Sequence, residues 1–328
     1  MNIRLLFLFA LAVLFSFVAC NAVSAANHTV VWQDGRDGGM TSHIYYKNLD
    51  TGKGGRVSNS NSYQDDPNIS GNILVWTDDR DGSNYHIYYK NLATGTGGRV
   101  SNTDSYQYSP SISGKIVVWM DNRDGSNSHI YYKNLATGTG GKVANIDSYQ
   151  TNPRISGNNV VWLDNRDGSN PHIYYKNLAT GQGGKVVNID SYQTSPSISG
   201  NRVVWMDNRD GSNYHIYYKN LETGTGGRVS STDSNQLNPC ISDNNVVWYD
   251  NRDGSNYHIY YKNLATGASG NVSNTDSNQI VPAISENTVV WMDNRDGINN
   301  QLYYKNLVTS KGGKLANIDS NQWSPEIG

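Results

Sequence analysis

Short apolar runs alternate with polar, glycine-rich stretches along almost the whole chain, and the alternation recurs every 43 residues. Pro67 to Ser109 shows one period. Asn68-Ile69-Ser70 is a short extended piece, and Gly71-Asn72 is a tight hairpin signal. Ile73 to Thr77 is an apolar strand, Asp78 to Asn84 a turn, and His86 to Leu92 a third strand. Ala93 to Gly98 turns again, and Arg99-Val100-Ser101 makes a fourth strand. The period has no 3.6-residue periodicity, so the pattern predicts four short strands per unit and no helix. Pro67 opens the first of them, a place where its missing N–H is tolerated.

Trp32 and Trp76 stand 44 residues apart, and the tryptophans that follow, Trp119 to Trp291, stand 43 apart. Prolines from Pro67 to Pro325 keep the same spacing, so seven units fill the chain from His28 to Gly328. Four strands per unit and seven units predict an all-β, seven-bladed β-propeller of four-stranded antiparallel blades. Both middle strands are apolar on both faces, which suits blades packed face to face. A solenoid would instead need polar capping units. The unit at His28-Thr29-Val30-Val31-Trp32 starts inside its second strand, and Pro325-Glu326-Ile327-Gly328 is the first strand it lacks. A C-terminal strand joining the N-terminal blade would close the ring and remove an exposed sheet edge.

The run Trp119-Met120-Asp121-Asn122-Arg123-Asp124-Gly125, followed by Ile130-Tyr131-Tyr132, recurs in every unit. It resembles the TolB-type (WD40-like) β-propeller repeat, and in feel the surface propeller proteins of methanogenic archaea. The resemblance covers residues 27–328 and implies the same fold. Ile-Ser-Gly-Asn stands where many relatives have Trp-Ser-Pro-Asp-Gly, and the separate N-terminal domain of TolB itself is missing, so a TolB-like envelope role is not implied.

Residues 1–26 break the pattern. Arg4 precedes an apolar run from Leu5 to Ala19, and Ser24-Ala25-Ala26 follow. This reads as a secretory signal peptide, and it is short for a membrane span. Two alternatives stay open: an uncleaved anchor, and a lipid anchor at Cys20 within the loose lipobox Phe17-Val18-Ala19-Cys20. Cleavage would leave Cys240 as the single cysteine, so no internal disulfide is expected. The expected location is outside the cell, secreted or on its surface, with no membrane insertion after the leader is removed.

Composition adds a few exclusions. Twenty-three Tyr and eight Trp disfavour disorder for such a chain, and a net charge of −2 gives no footprint for nucleic acid. The Asp-x-Arg-Asp-Gly turns, among them Asp78/Arg80/Asp81 and Asp121/Arg123/Asp124, are off by one from the calcium-loop spacing. They are read as structural ties of the turn. No cofactor or metal is indicated; a calcium ion on the ring axis is left open, with no residue pointing to it. His43, His86, His129, His172, His215 and His258 precede Ile-Tyr-Tyr, with Gln301 in the seventh unit. Equivalent positions on a seven-membered ring lie too far apart to share an ion whose ligands sit about 2 Å away. A repeated strand-end contact is expected instead. Cys240 occupies a slot held elsewhere by Asn68, Ser111, Arg154, Ser197, Ala283 and Glu326, and is read as a tolerated small residue. Asn27, Asn68 and Asn271 each begin a glycosylation sequon, of which Asn68 lies in a predicted inner strand.

No nucleophile, phosphate-loop or metalloprotease motif occurs. Seven copies of the same groups do not make the heterogeneous constellation that catalysis needs. The expectation is therefore a non-catalytic, monomeric binding or scaffold protein of the cell surface. Its rivals are a carbohydrate-active enzyme of the polysaccharide-lyase kind and a subunit of a surface-layer or adhesion array. Where the units differ is where recognition is expected. The two residues before each Pro vary, as in Tyr108-Ser109 and Trp323-Ser324, and are placed in the connection between blades. A further slot holds Tyr63, Tyr106, Tyr149 and Tyr192, then Asn235, Asn278 and Asn321. Tyr63, Tyr106, Tyr108, Tyr149, Tyr192 and Trp323 are the candidate ligand contacts, for a protein or a glycan. The longest irregularity is one extra residue in Gly38 to Ser42.

Overall fold

The structure is a computed structural model describing residues 28–38, 41–82, 84–168 and 170–328. The expected signal peptide and the anchor alternatives at Cys20 lie outside these residues. The described residues hold strands and turns only, and among them no helix is long and apolar enough to cross a membrane.

The first unit supplies β1 (Thr29–Asp34), β2 (His43–Asn48) and β3 (Gly54–Arg56). The second supplies β4 (Gln64–Ser70), β5 (Ile73–Asp78), β6 (His86–Asn91) and β7 (Gly97–Arg99), paired in chain order as an antiparallel sheet. Five more four-stranded sheets follow the same plan. The chain finishes with β28 (Gln322–Ile327), which pairs with β1 as the inner strand of the first blade. Val30 faces Ile327 across that pair, and Thr29 and Gly328 exchange backbone hydrogen bonds of 3.0 and 3.2 Å. The molecule is a seven-bladed propeller closed as the sequence implies.

Alternation along each middle strand builds the core. In β1, Val30 and Trp32 pack toward the seventh blade, on Val290, Met292 and Leu302, while Val31 packs on Ile69, Leu74 and Trp76 of the second. Each blade is thus covered on both faces, and the repeated interface makes seven apolar clusters. Polar ties add to them: Lys90 Nζ reaches back to the Val57 carbonyl at 2.6 Å, and each equivalent lysine does the same.

Two boundaries differ from the sequence reading. The inner strand starts at Gln64, three residues before Pro67, so the variable pair Asp65-Asp66 lies in the strand and not in a connection. The register jumps from Asp65↔Thr77 to Asn68↔Val75, leaving Asp66 and Pro67 opposite Trp76 alone. That bulge is where a residue with no N–H does no damage to the ladder. Asp66 takes a left-handed φ of 48° there, as do its equivalents in the other blades. The outer strand is shifted too, covering Gly97–Arg99 instead of Arg99 to Ser101.

Candidate functional site

The repeated heptapeptide is a buried hydrogen-bond hub. Asp121 ends the second strand of its blade fully buried. With a two-residue period, Trp119 lies on the same face, and its Nε1 donates to Asp121 at 2.9 Å. Ser105 Oγ, Gln107 Nε2 and the Arg123 backbone N–H donate at 2.8, 3.1 and 2.9 Å. The Arg123 guanidinium adds an ion pair with the same carboxylate. Burial pushes the Asp121 carboxyl up, but the donors outweigh it and hold it below the usual carboxylate range. Arg123 also lies 4.0 Å from the Tyr131 ring centre, and the Tyr131 hydroxyl donates to Asp124 at 2.5 Å. Lys142 of the outer strand meets Asp124 at 3.1 Å. The turn residues Asp78, Arg80 and Asp81 stand in the same relation to Trp76, Tyr88 and Arg99.

Gln107 is the partner that sequence reasoning missed. Its Oε1 accepts the Ile87 N–H of the preceding blade at 3.2 Å while its Nε2 serves the hub, so one amide joins two blades. The signal was present: Gln recurs every 43 residues from Gln64 to Gln322. At the closure Gln322 accepts from Leu302 N at 2.9 Å and donates to Asp34 at 3.3 Å, while Ser320 donates to Asp34 at 2.7 Å.

The histidines are strand-end residues; His86, His129, His172 and His215 are buried between two acids, while His43 meets Asp37 and the partly exposed His258 meets Asp253. His86 lies 3.8 Å from Asp81 and 3.9 Å from Asp104. Burial, with Arg99 beside it, lowers its basicity. Among the described residues no three His, Cys, Asp or Glu side chains are grouped to hold a metal.

The inner strands surround a central channel of about 310 Å³. Four members of the slot containing Cys240 line it, Arg154, Ser197, Cys240 and Glu326, so here unlike side chains do converge. Part of their work is stitching. Asn68 Oδ1 and Ser111 Oγ accept the Ile112 and Ile155 N–H groups of the next blade at 2.9 and 3.3 Å. Burial raises the Glu326 and Asp66 carboxyls and the Cys240 thiol, and Arg154 counters part of the rise at each.

The loop face carries the aromatic candidates, and the structure links some of them. Tyr63 meets Tyr85 edge-on with ring centres 6.2 Å apart; Tyr85 meets Tyr108 at 5.5 Å; Tyr108 stacks parallel on Tyr106 at 6.1 Å. Tyr85, in the slot before His86, is the connecting ring. Tyr192 pairs instead with Tyr214 at 6.2 Å. Tyr106, Tyr149 and Tyr192 are 39, 46 and 40% exposed, high for rings of that size. Trp323 lies apart from this row, across a cleft of about 700 Å³ whose other wall includes Tyr63. The cleft sits where the last blade meets the first, and its lining includes Thr41 and Ser42 beside the one-residue irregularity, of which residues 39 and 40 lie outside the described set.

Comparison with known proteins rests on the fold. TolB from Acinetobacter baumannii matches with a TM-score of 0.55 at 16% identity, over 91% of this chain and 82% of that one. The fold is that of a TolB-type β-propeller. At this identity the likeness concerns the fold alone, and propellers with other attachments match as well. The propeller domain of the Trilobed protease from Pyrococcus furiosus gives 0.68 at 11% identity, over 89% of this chain and 95% of that domain. An oligogalacturonate lyase in complex with manganese gives 0.62 at 14%, over 84% and 85%. No protein-family model and no curated protein matches the chain.

Proposed function

We propose that this TolB-type propeller is an exported, non-catalytic recognition module of the cell surface that binds a glycan through its loop face. The observation that carries the reading is the exposed aromatic row on a rigid, closed ring. Its repeat residues are committed to the hubs and to the stitching between blades, whereas the loop-face rings are free to meet a partner. Aromatic faces with amide and hydroxyl neighbours suit the alternating apolar and polar faces of sugar rings. Export rests on the leader-like residues 1–26.

The rival enzymatic reading has one observation in its favour, the converging Asp66, Arg154 and Glu326 of the channel. One screen separates the two. The purified protein, residues 27–328, is applied to a glycan array and incubated with polygalacturonate while unsaturated uronide absorbance is followed. Retention on the array, lost in Tyr106→Ala and Tyr149→Ala, supports recognition. Absorbance growth abolished by Glu326→Gln supports the lyase. Retention unchanged in both tyrosine variants would remove the loop face from the reading.

A further inference from the structure

Six of the seven blades carry Asn or Asp at one loop-face position, and the first departs from them there and at neighbouring positions. The residue after each hub aspartate is Asp79, Asn122, Asn165, Asn208, Asn251 or Asn294, but Gly35 in the first blade. In the blades of Asp79, Asn122, Asn165, Asn208 and Asn294 this side chain caps the loop opposite: Asn122 Oδ1 accepts the Tyr106 N–H at 2.9 Å, and Asn165 the Tyr149 N–H at 3.0 Å. Gly35 leaves that space open, and the Trp323 indole lies against it, 3.4 Å from where a Cβ would stand. Trp323 is itself the only Trp in its slot, and it pairs with Gln33 across the strands. Gln33 in turn replaces the Thr, Met, Leu or Tyr of the other six blades. Its Nε2 donates to Ser42 Oγ at 2.7 Å and to Tyr63 OH at 3.3 Å, giving the cleft a polar floor. Ile298, where the other units have Ser or Gly, is 99% exposed on the same turn as the lining residue Asn299.

From this we infer that the cleft between the seventh and first blades is a subsite for a neutral sugar ring, stacked on Trp323. The inference rests on the glycan reading above and narrows it to a place and a chemical class. The volume of about 700 Å³ suits a small saccharide unit. The polar rim is hydroxyl and amide in character, with Thr41, Asn299 and Asn321 beside Asp319. Among the described lining residues the one cation is Arg36, which is held by Asp34 at 2.5 Å and lies 3.9 Å from the Tyr45 ring centre. A uronate carboxylate would therefore lose its water and meet Asp319 in place of a free guanidinium, so acidic sugars are disfavoured.

Gly35 makes a direct test available. Its backbone is outside the left-handed region, so Asn is sterically admissible there. Gly35→Asn restores the side chain the other blades use and fills the cleft against Trp323. Cellobiose, lactose, chitobiose and digalacturonate are titrated into the full protein by calorimetry and saturation-transfer NMR. The expected result is saturable binding of at least one neutral disaccharide, tighter than digalacturonate. Trp323→Ala should weaken it roughly tenfold or more. Gly35→Asn should abolish it while the thermal midpoint is kept. Absence of neutral-disaccharide binding, preference for digalacturonate, or wild-type affinity in Gly35→Asn would each overturn the inference. The two readings fail differently. If glycans stay on the array through Tyr106 and Tyr149 and Gly35→Asn has no effect, the cleft falls and the face stands. If the wild type retains no glycan at all, both fall.

Discussion

Asp121 has no exposed surface, and it is ionised because five donors point at it. Take the carboxylate away and the donors remain: the buried Trp119 Nε1 loses its acceptor, the half-buried Arg123 guanidinium loses its counter-charge and keeps Ser101 Oγ, and the Gln107 amide keeps Thr103 Oγ1. Breaking such a cluster from one side leaves an unpaired charge, and Asp121→Ala should cost about 3–5 kcal/mol in urea unfolding. Trp119→Phe keeps most of the apolar volume and removes one donor, so it should cost clearly less. Equal losses in the two variants would show that packing, and not the carboxylate, governs the site. How much of this was legible varies with distance along the chain. Trp119 and Asp121 are two apart on a strand, so their meeting follows from the pleat alone. Gln107 is 14 residues from Asp121 and in the strand before it; recurrence marks Gln107 as constrained but does not say by what. Gly35 was legible only as a gap in a column of Asn and Asp, and a gap acquires meaning once Trp323 is seen lying in it.

At the level of strands, the repeat spacing identified four per blade, and the truncated first unit pointed to the closing one. Proline misplaced the inner strand, because a missing N–H marks a strand start and a bulge equally well. The bulge matters for the candidate site: it keeps Asp65, Tyr108 and Trp323 inside rigid strands instead of on loose connections. Closure by β28 is correspondingly consequential. Ile327 packs in the cluster that joins the seventh blade to Val30, Trp32 and Tyr45, and Ser320 and Gln322 complete the Asp34 hub. A chain ending at Asn321 would expose that cluster along an unpaired edge of β1 and leave Asp34 short of Gln322. It should melt well below the full chain, with broadened unfolding in circular dichroism. A synthetic peptide of residues 322–328 added in excess should raise the midpoint again, by mass action on the vacant edge. An unchanged midpoint on truncation would mean that the other blades hold the ring without its closing strand.

Repetition gives the molecule several copies of one titrating group, and where copies shift in the same direction their contributions to stability add. Each proton bound differently by the folded and unfolded states changes stability by about 1.4 kcal/mol per pH unit. Burial lowers His43, His86, His172 and His215 below their ordinary value of 6.5, so the stability they contribute is present above that value and lost as pH falls toward their folded values. Asp34, Asp78, Asp121, Asp164, Asp207 and Asp293 are held below 3.8, and their contribution goes at lower pH still. Acid unfolding should therefore proceed through two declines, one below about 6.5 and one below about 3.8. Asp65 runs the other way. Burial first, and then Asp66 beside it, push its carboxyl up to about 6. Below 3.8 it is neutral in both states and costs nothing; as pH rises toward 6 the unfolded chain gains a favourable charge that the fold resists. Asp65→Asn keeps the side-chain oxygen that accepts the Asp66 N–H at 2.7 Å and removes the titration. The variant should match wild type in thermal midpoint near pH 3.5, gain on it between pH 4 and 6, and hold a constant advantage above that. A gain of the same size at every pH would assign the effect to packing and detach it from the carboxyl's burial.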